Sequence, residues 1–446
     1  LAAQASGAVR FLSHFVSPAG GLYVSGCWGW TDSTTGREYA LLGNRSGTSI
    51  TEITNTEALV ERDFVPGPSS NWREIQTWSH YAYVVSEGGG GTQIIDLAYL
   101  PDSVHLVQGF IYDDGTNRTN RAHTVQIRDG YMYLNGCVNY AGGGVIIFSL
   151  ADPEHPAFVS QYTAGNYIHD CFVRKDTMYA AAIYDVGVEI VDVTDKSYPA
   201  LLATITYPGS GTHNCAVSSD GGYLLTTDEI NATEKTLKFW DIRSLPSYSM
   251  VAEYTGNPST VVHNVFVRDS LAFLSHYTLG MRVINISDPT SPFEIGGYDT
   301  CPDSLASGGA FTGAWSVYPY FPSGKVIIGD MLSGLFVVDL GEAPTAVRDG
   351  APLPGGFALE QNYPNPFNPT TTITYALDAA EPVSLIVYDL LGSPVATLRQ
   401  GDEQAGTHQV RWNGTDDRGR RVAGGVYFYR LAAGGRSIAK PLVLLP

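Results

Sequence analysis

Along the first three quarters of the chain, short runs alternate apolar with polar residues, and no long stretch carries an apolar period of 3.6. One run recurs most clearly. It begins with Gly or a polar turn and closes on an acidic or polar residue followed by an apolar one: "GTSITEI" (47–53), "GTQIIDL" (91–97), "GVIIFSL" (144–150), "GVEIVDV" (187–193), "LKFWDI" (237–242), "MRVINI" (281–286) and "GLFVVDL" (334–340). An apolar run such as "YAYVVSE", "YMYLNG" or "LAFLSH" precedes it. Before that lies an opening stretch, "YIHDCFV" from Tyr167, "GTHNCAV" from Gly211 or "VVHNVFV" from Val261. A further strand follows, as in "PALLATITY" or "SMVAEYT", so each unit predicts four strands joined by turns.

The opening stretches align on Trp28, Trp72, His123, His169, His213, His263 and Trp315, with spacings of 44, 51, 46, 44, 50 and 52 residues. Four strands in roughly 40–50 residues are the signature of a propeller blade. The pattern predicts an all-β chain with a seven-bladed β-propeller over residues 1–340. The seventh unit has no fourth strand after it, and "AVRFLSHFV" (8–16) has the pattern of one without a blade of its own. It is expected to close the ring and so remove an open edge. Residues 341–356, rich in Pro, Gly and Ala, read as a linker. Residues 357–446 repeat short strands, "TTITYAL", "VSLIVYDL", "HQVRWNG" and "VYFYRL", with turns between, and predict a small Ig-like β-sandwich.

Charge sharpens this division. The 446 residues carry a formal net charge of -18. From Phe357 onward eight basic and eight acidic residues cancel, so the excess is confined to residues 1–356. Such a surface repels nucleic acid and attracts cations. No apolar run is long enough for a transmembrane segment. The five cysteines, Cys27, Cys137, Cys171, Cys215 and Cys301, match no zinc spacing and are expected as small buried thiols, with at least one free or paired between chains. The start at Leu1, followed by small residues, is expected of a chain whose signal peptide has been removed, or of an artificial start.

The candidate chemistry lies at the opening of the first strands. His123, His169, His213 and His263 occupy that place in four consecutive units. Antiparallel pairing returns the end of the second strand to the same face, and those ends carry Glu87, Asn135, Asp228 with Glu229, His276 and Asp330. One mouth of the channel is therefore expected to hold an arc of four imidazoles with carboxylates outside it. Imidazole and carboxylate are the usual ligands of Zn, Mn, Fe and Cu. The structural reading stands beside it: a polar mouth needs hydrogen bonds, and a His followed by Asp or Asn ties neighbouring blades together. Period-two alternation predicts His169 and Cys171 on one side of their strand and Asp170 on the other. "YDDGTNRTN" (112–120) is rich in oxygen ligands for Ca but lacks the spacing of a full Ca loop, and reads rather as a solvated turn. Trp28, Trp30, Trp72, Trp78 and Trp315 suit either a sugar or peptide platform or packing between blades. No local catalytic motif is present.

Several stretches carry a family resemblance. "GCWGW" (26–30), "GREYALLG" (36–43), "WREIQTWSHYAYVVSE" (72–87), "IHDCFV" (168–173), "THNCAV" (212–217), "VHNVFV" (262–267) and "GAWSVYPYFPSG" (313–324) resemble the LVIVD-repeat propellers, in the order of the choice-of-anchor B family. "LEQNYPNPFNPTTTITYAL" (359–377), "VYDLLGSPVATL" (387–398) and "HQVRWNGTDDRGRRVAGGVYFYRL" (408–431) resemble the Ig-like sorting domains of type IX secretion cargo, related to the flagellar hook-capping fold. The resemblance implies a secreted or surface-exposed bacterial protein whose tail sorts or anchors it, and brings no assigned activity. Two functions are expected. One is a non-enzymatic binding or structural protein whose partners are surface components or copies of itself, in a filament built through the tail. The other is a metal-dependent, hydrolase-like extracellular enzyme using the histidine arc.

Overall fold

A computed structural model describes residues 5–7, 9–137, 141–163, 165–184, 186–230, 235–257, 260–301, 311–340, 357–359, 362, 367, 369–389 and 393–444. The chain divides into two compact units, 1–341 and 342–446. Both are all-β. A three-residue 3-10 turn, Ala141–Gly143, is the only helix among the described residues, and no helix there is long and apolar enough to cross a membrane.

In the larger unit the described residues form seven antiparallel sheets. Their first strands are Val24–Thr31, Arg73–Trp78, Thr124–Arg128, Asp170–Arg174, Thr212–Val217, Asn264–Arg268 and Ala314–Tyr318. Six sheets take their first four strands consecutively from the chain. The seventh ends with Gly334–Leu340 and takes Val9–Phe15 as its outer strand, pairing Val9 with Leu340 and Phe15 with Leu335. The N-terminus gives one strand more than expected: Ala5–Gly7 pairs with Phe293–Tyr298 on the sixth sheet.

The recurring third-strand motif has a physical cause at each end. Its opening glycine is required where the fourth strand comes close. Gly91 and Gly187 have φ of +74° and +109°, and a Cβ on either would lie 2.2 Å from the carbonyl oxygen of Phe110 or Ile205. Its closing polar residue caps the turn that follows. Asp96, Asp192 and Asn285 accept from the backbone N–H two residues on, at Ala98, Thr194 and Ser287. Between these ends the strand is buried on both faces, as in Gly187–Asp192. That is why its sequence reads as continuous apolar residues rather than alternation.

An apolar layer fills the space between each sheet and the next. Leu225 and Phe239 of the fifth sheet pack with Val265 and Leu274 of the sixth. Ile327, Leu335 and Val337 of the seventh pack with Ala40 and Leu42 of the first. The first strands also follow one another in contact, that of the seventh sheet lying against that of the first.

The smaller unit has a three-stranded sheet (Ala358–Leu359, Thr371–Leu377, Gly406–Trp412) and a four-stranded one (Pro394–Glu403, Glu381–Tyr388, Gly425–Ala433, Arg436–Leu444). They enclose one core of Ile373, Tyr375, Leu385, Tyr429, Leu431 and Leu442. This is the small Ig-like module. The expected linker, 341–356, lies outside the described residues.

Removal of residues 1–16 deletes the partner of Gly334–Leu340 and uncovers Val9's place in the core. The shortened chain is expected to aggregate, or to unfold at a clearly lower temperature, because an open edge strand templates pairing with other chains. A melting curve equal to that of the full chain would mean that Val9–Phe15 does not hold the seventh sheet.

Candidate functional site

The openings of the first strands converge on one column of rings, edge-on or tilted to one another except at its Trp315–Trp72 end. His123, His169, His213 and His263 follow one another at centroid separations of 4.0, 4.0 and 4.1 Å. Trp315 continues the column 4.1 Å from His263, and Trp72 lies nearly parallel to Trp315 at 4.6 Å. His169, His213 and His263 are buried, and burial lowers the pKa of each. Trp28, aligned with these residues by spacing, is offset. The first sheet's irregularity falls between the pairs Val24–Asn44 and Cys27–Leu42, so Ser25 and Gly26 stand where His213 and Trp315 stand in theirs.

The rings are tied in place by hydrogen bonds that cross from sheet to sheet. Nδ1 of His169 donates to the His213 carbonyl at 3.1 Å, and Nδ1 of His263 donates to the Trp315 carbonyl at 2.6 Å. Nδ1 of His123 bonds Oε1 of Glu87 at 2.6 Å. Glu229 lies between two rings, its carboxylate 3.7 Å from Nε2 of His213 and 3.9 Å from Nε2 of His263. The nitrogens of His123, His169 and His213 fall within 4.8 Å of one another, as do the ligand atoms of His213, Glu229 and His263.

The other expected site residues are spent elsewhere. Asp228 accepts from Tyr207, the Gly211 N–H and the buried Lys238 ammonium. Asp330 accepts from Thr300 and from the N–H groups of Leu332 and Ser333, closing a turn. His276 is buried beside Thr260, with burial lowering it to about 4, and belongs to neither cluster. Of the nine, the structure brings together the four arc histidines, Glu229, and Glu87 behind His123.

Beneath the column lies a cavity of about 50 Å³, lined among others by Glu74, Gln76, Gln126, Asp170, Asn214 and Asn264. That volume holds a few waters. His169, Asp170 and Cys171 all border it, while Asp170 turns to Asn214 of the fifth sheet and Cys171 packs with Tyr133 and Val145 of the third, on opposite sides of the strand. Glu74 escaped the sequence reading. Its carboxylate fills the space a side chain at Gly26 would need, since a Cβ there would lie 2.7 Å from Oε2. Burial pushes the Glu74 carboxyl up to about 7, opposed by the hydrogen bond Trp315 Nε1 donates at 3.0 Å, while Asp170 adds to the rise. Burial likewise raises Asp170, against the amide of Asn214, which donates to it at 2.7 Å. One signal for Glu74 was available: two residues after each opening position the chain otherwise carries Val125, Cys171, Cys215, Val265 and Val317.

The weaker candidates resolve into packing. Trp28 packs edge-on to Tyr318 and donates to Thr77, and Trp30 donates to the Ser79 carbonyl across the same joint. In "YDDGTNRTN", Asp113 and Asp114 accept from the N–H groups of Gly115, Thr116 and Asn117, and Asp113 pairs with Arg118. All five cysteines are buried, as expected.

The family model of the FlgD Ig-like domain matches residues 367–437, within the smaller unit. That of the LVIVD repeat matches residues 263–300, which run from His263 through the sixth sheet. None of the curated proteins matches the chain by sequence. Among solved structures the chain is similar to PorZ of Porphyromonas gingivalis, described as an essential bacterial surface component of the type-IX secretion system. Identity is 15%, the match covers 97% of this chain and 60% of that one, and the TM-score is 0.48. The chain thus spans less than two thirds of the length of that structure.

Glu74 sets a pH dependence. Its contribution to stability is most favourable below its ordinary value of 4.5 and is lost as pH rises toward about 7, because the folded state resists ionisation that the unfolded state accepts. Glu74→Gln keeps an acceptor for Trp315 and removes the charge. The variant is expected to gain on the parent by up to about 3 kcal/mol at pH 8 and to match it near pH 4. Urea unfolding at both pH values reads this, and a constant difference would mean that Glu74 ionises as freely in the fold as outside it.

Proposed function

We propose that this chain is a non-enzymatic binding or structural protein of the bacterial surface or extracellular space. In this reading residues 1–340 are a seven-bladed propeller, closed where Val9–Phe15 joins the last sheet, and residues 357–446 are a module that anchors it or links it to a partner. The order of repeat motifs fits the choice-of-anchor B type, whose members carry differing C-terminal anchors. The observation that carries the reading is the filled axis. A column of six rings in contact and a cavity of about 50 Å³ leave little free volume at the axis. Binding then falls to outer surfaces, and the hydrolase reading of the arc draws no support from the cavity. The match of the tail to the FlgD Ig-like domain supports its role as a separate attachment module.

The finer version is self-assembly: the tail of one copy docks on another. A head-to-tail contact that does not close builds a filament. Light scattering and electron microscopy of the full chain against residues 1–340 at equal concentration test it. The full chain is expected to form larger particles. Equal size removes the filament and leaves attachment to other surface components, read by protease accessibility of the full and shortened chains on whole cells.

A further inference from the structure

One group of atoms at the joint of the fifth and sixth sheets lacks a partner suited to its chemistry. Nδ1 of His263 gives its proton to the Trp315 carbonyl, so Nε2 carries a lone pair. That nitrogen is buried with no hydrogen bond. It faces a carboxylate oxygen of Glu229 at 3.9 Å, and Nε2 of His213 faces the other at 3.7 Å. A doubly protonated ring would donate to the carboxylate and close to about 3 Å. A neutral ring leaves a lone pair opposite lone pairs in a dry interior, a repulsion that a cation between them reverses.

The supports are in place. The Tyr277 hydroxyl donates to Oε1 of Glu229 at 2.5 Å, and the Trp315 carbonyl fixes the tautomer of His263. Both are the outer contacts that orient metal ligands. Zinc bonds to nitrogen and oxygen are each about 2.0–2.2 Å, so one ion on a bent path spans the observed separations. The ligands are almost closed to solvent: relative exposures are 3% for His213, 9% for Glu229 and 0% for His263. We propose that His213, Glu229 and His263 bind one divalent cation of the zinc class, which clamps the fifth sheet to the sixth. In the alternative cluster of His123, His169 and His213 no carboxylate is among the grouped ligand atoms, and Glu87 stands behind His123 on its Nδ1.

The test uses the full chain, stripped with chelator and titrated with Zn²⁺ alone by calorimetry, with Co²⁺ as a spectroscopic probe. One Zn²⁺ per chain and a raised melting temperature are expected. Glu229→Gln and His263→Gln should weaken binding on the order of 100-fold, Tyr277→Phe about tenfold, and His123→Gln not at all. Circular dichroism checks each variant's fold, and the Co²⁺ spectrum of the unaltered chain is independent of any variant: intense low-symmetry bands support the site, and the spectrum of the hydrated ion overturns it. No Zn²⁺ uptake, uptake undiminished in Glu229→Gln, or loss in His123→Gln would each overturn it too, the first pointing to a bridging water and the last to the other cluster.

Discussion

The structure depends on satisfying the free edge of each first strand. Such a strand has a hydrogen-bonded neighbour on one side only, and its other edge turns toward an axis with little free volume for water. Unpaired buried N–H and C=O groups cost free energy comparable to a lost hydrogen bond. Side chains from the adjoining sheet meet that demand at successive joints. Ser25 bonds the Arg73 carbonyl, Gln76 takes the Ile127 N–H, and Thr124 reaches the His169 carbonyl. His169 reaches His213, Thr227 reaches His263, His263 reaches Trp315, and Ser316 reaches Cys27. The apolar layers give the sheets their cohesion, while these bonds set the angle and height at which neighbours meet.

This constraint explains the periodic polar residue at the start of an apolar strand. It also explains why the repeat was legible while its purpose was not. The period, the third-strand motif and the N-terminal strand on the seventh sheet could be read because each leaves side chains of a fixed type at a fixed spacing. The acceptors at the joints are mostly backbone carbonyls, which leave no mark in a sequence. Hence a histidine tying two sheets and a histidine awaiting a metal look alike. Glu229 could be placed near the arc from strand pairing alone, but Asp228 beside it could not be told apart from it. Its bonds from Tyr207, the Gly211 N–H and the buried Lys238 show that Asp228 is already paired.

Register was the weakest part of the reading, for a local reason. In the first, fifth and seventh sheets the first strand carries a bulge near its start, which shifts the side chains by a residue or more. Spacing therefore aligned Trp28 with the histidines, although Gly26 occupies the corresponding place. That glycine is also what admits Glu74, so a single misassigned residue hid a strongly perturbed carboxylate of the channel.

The joints leave one question that they do not themselves answer. A joint needs one donor or acceptor, and Ser25, Gln76, Thr124, Thr227 and Ser316 provide it with small or neutral side chains. His169 and His263 do the same with Nδ1 and leave a second nitrogen over, whereas Nδ1 of His213 makes no hydrogen bond. In His263 that nitrogen is buried without a hydrogen bond, a burden a threonine or glutamine would not carry. Ring packing alone does not require it, since the indoles of Trp315 and Trp72 continue the column. The joint accounts for a polar residue at these positions and the column accounts for a flat one. What remains specific to histidine is the second nitrogen, and in His213 and His263 that nitrogen is turned toward the same carboxylate.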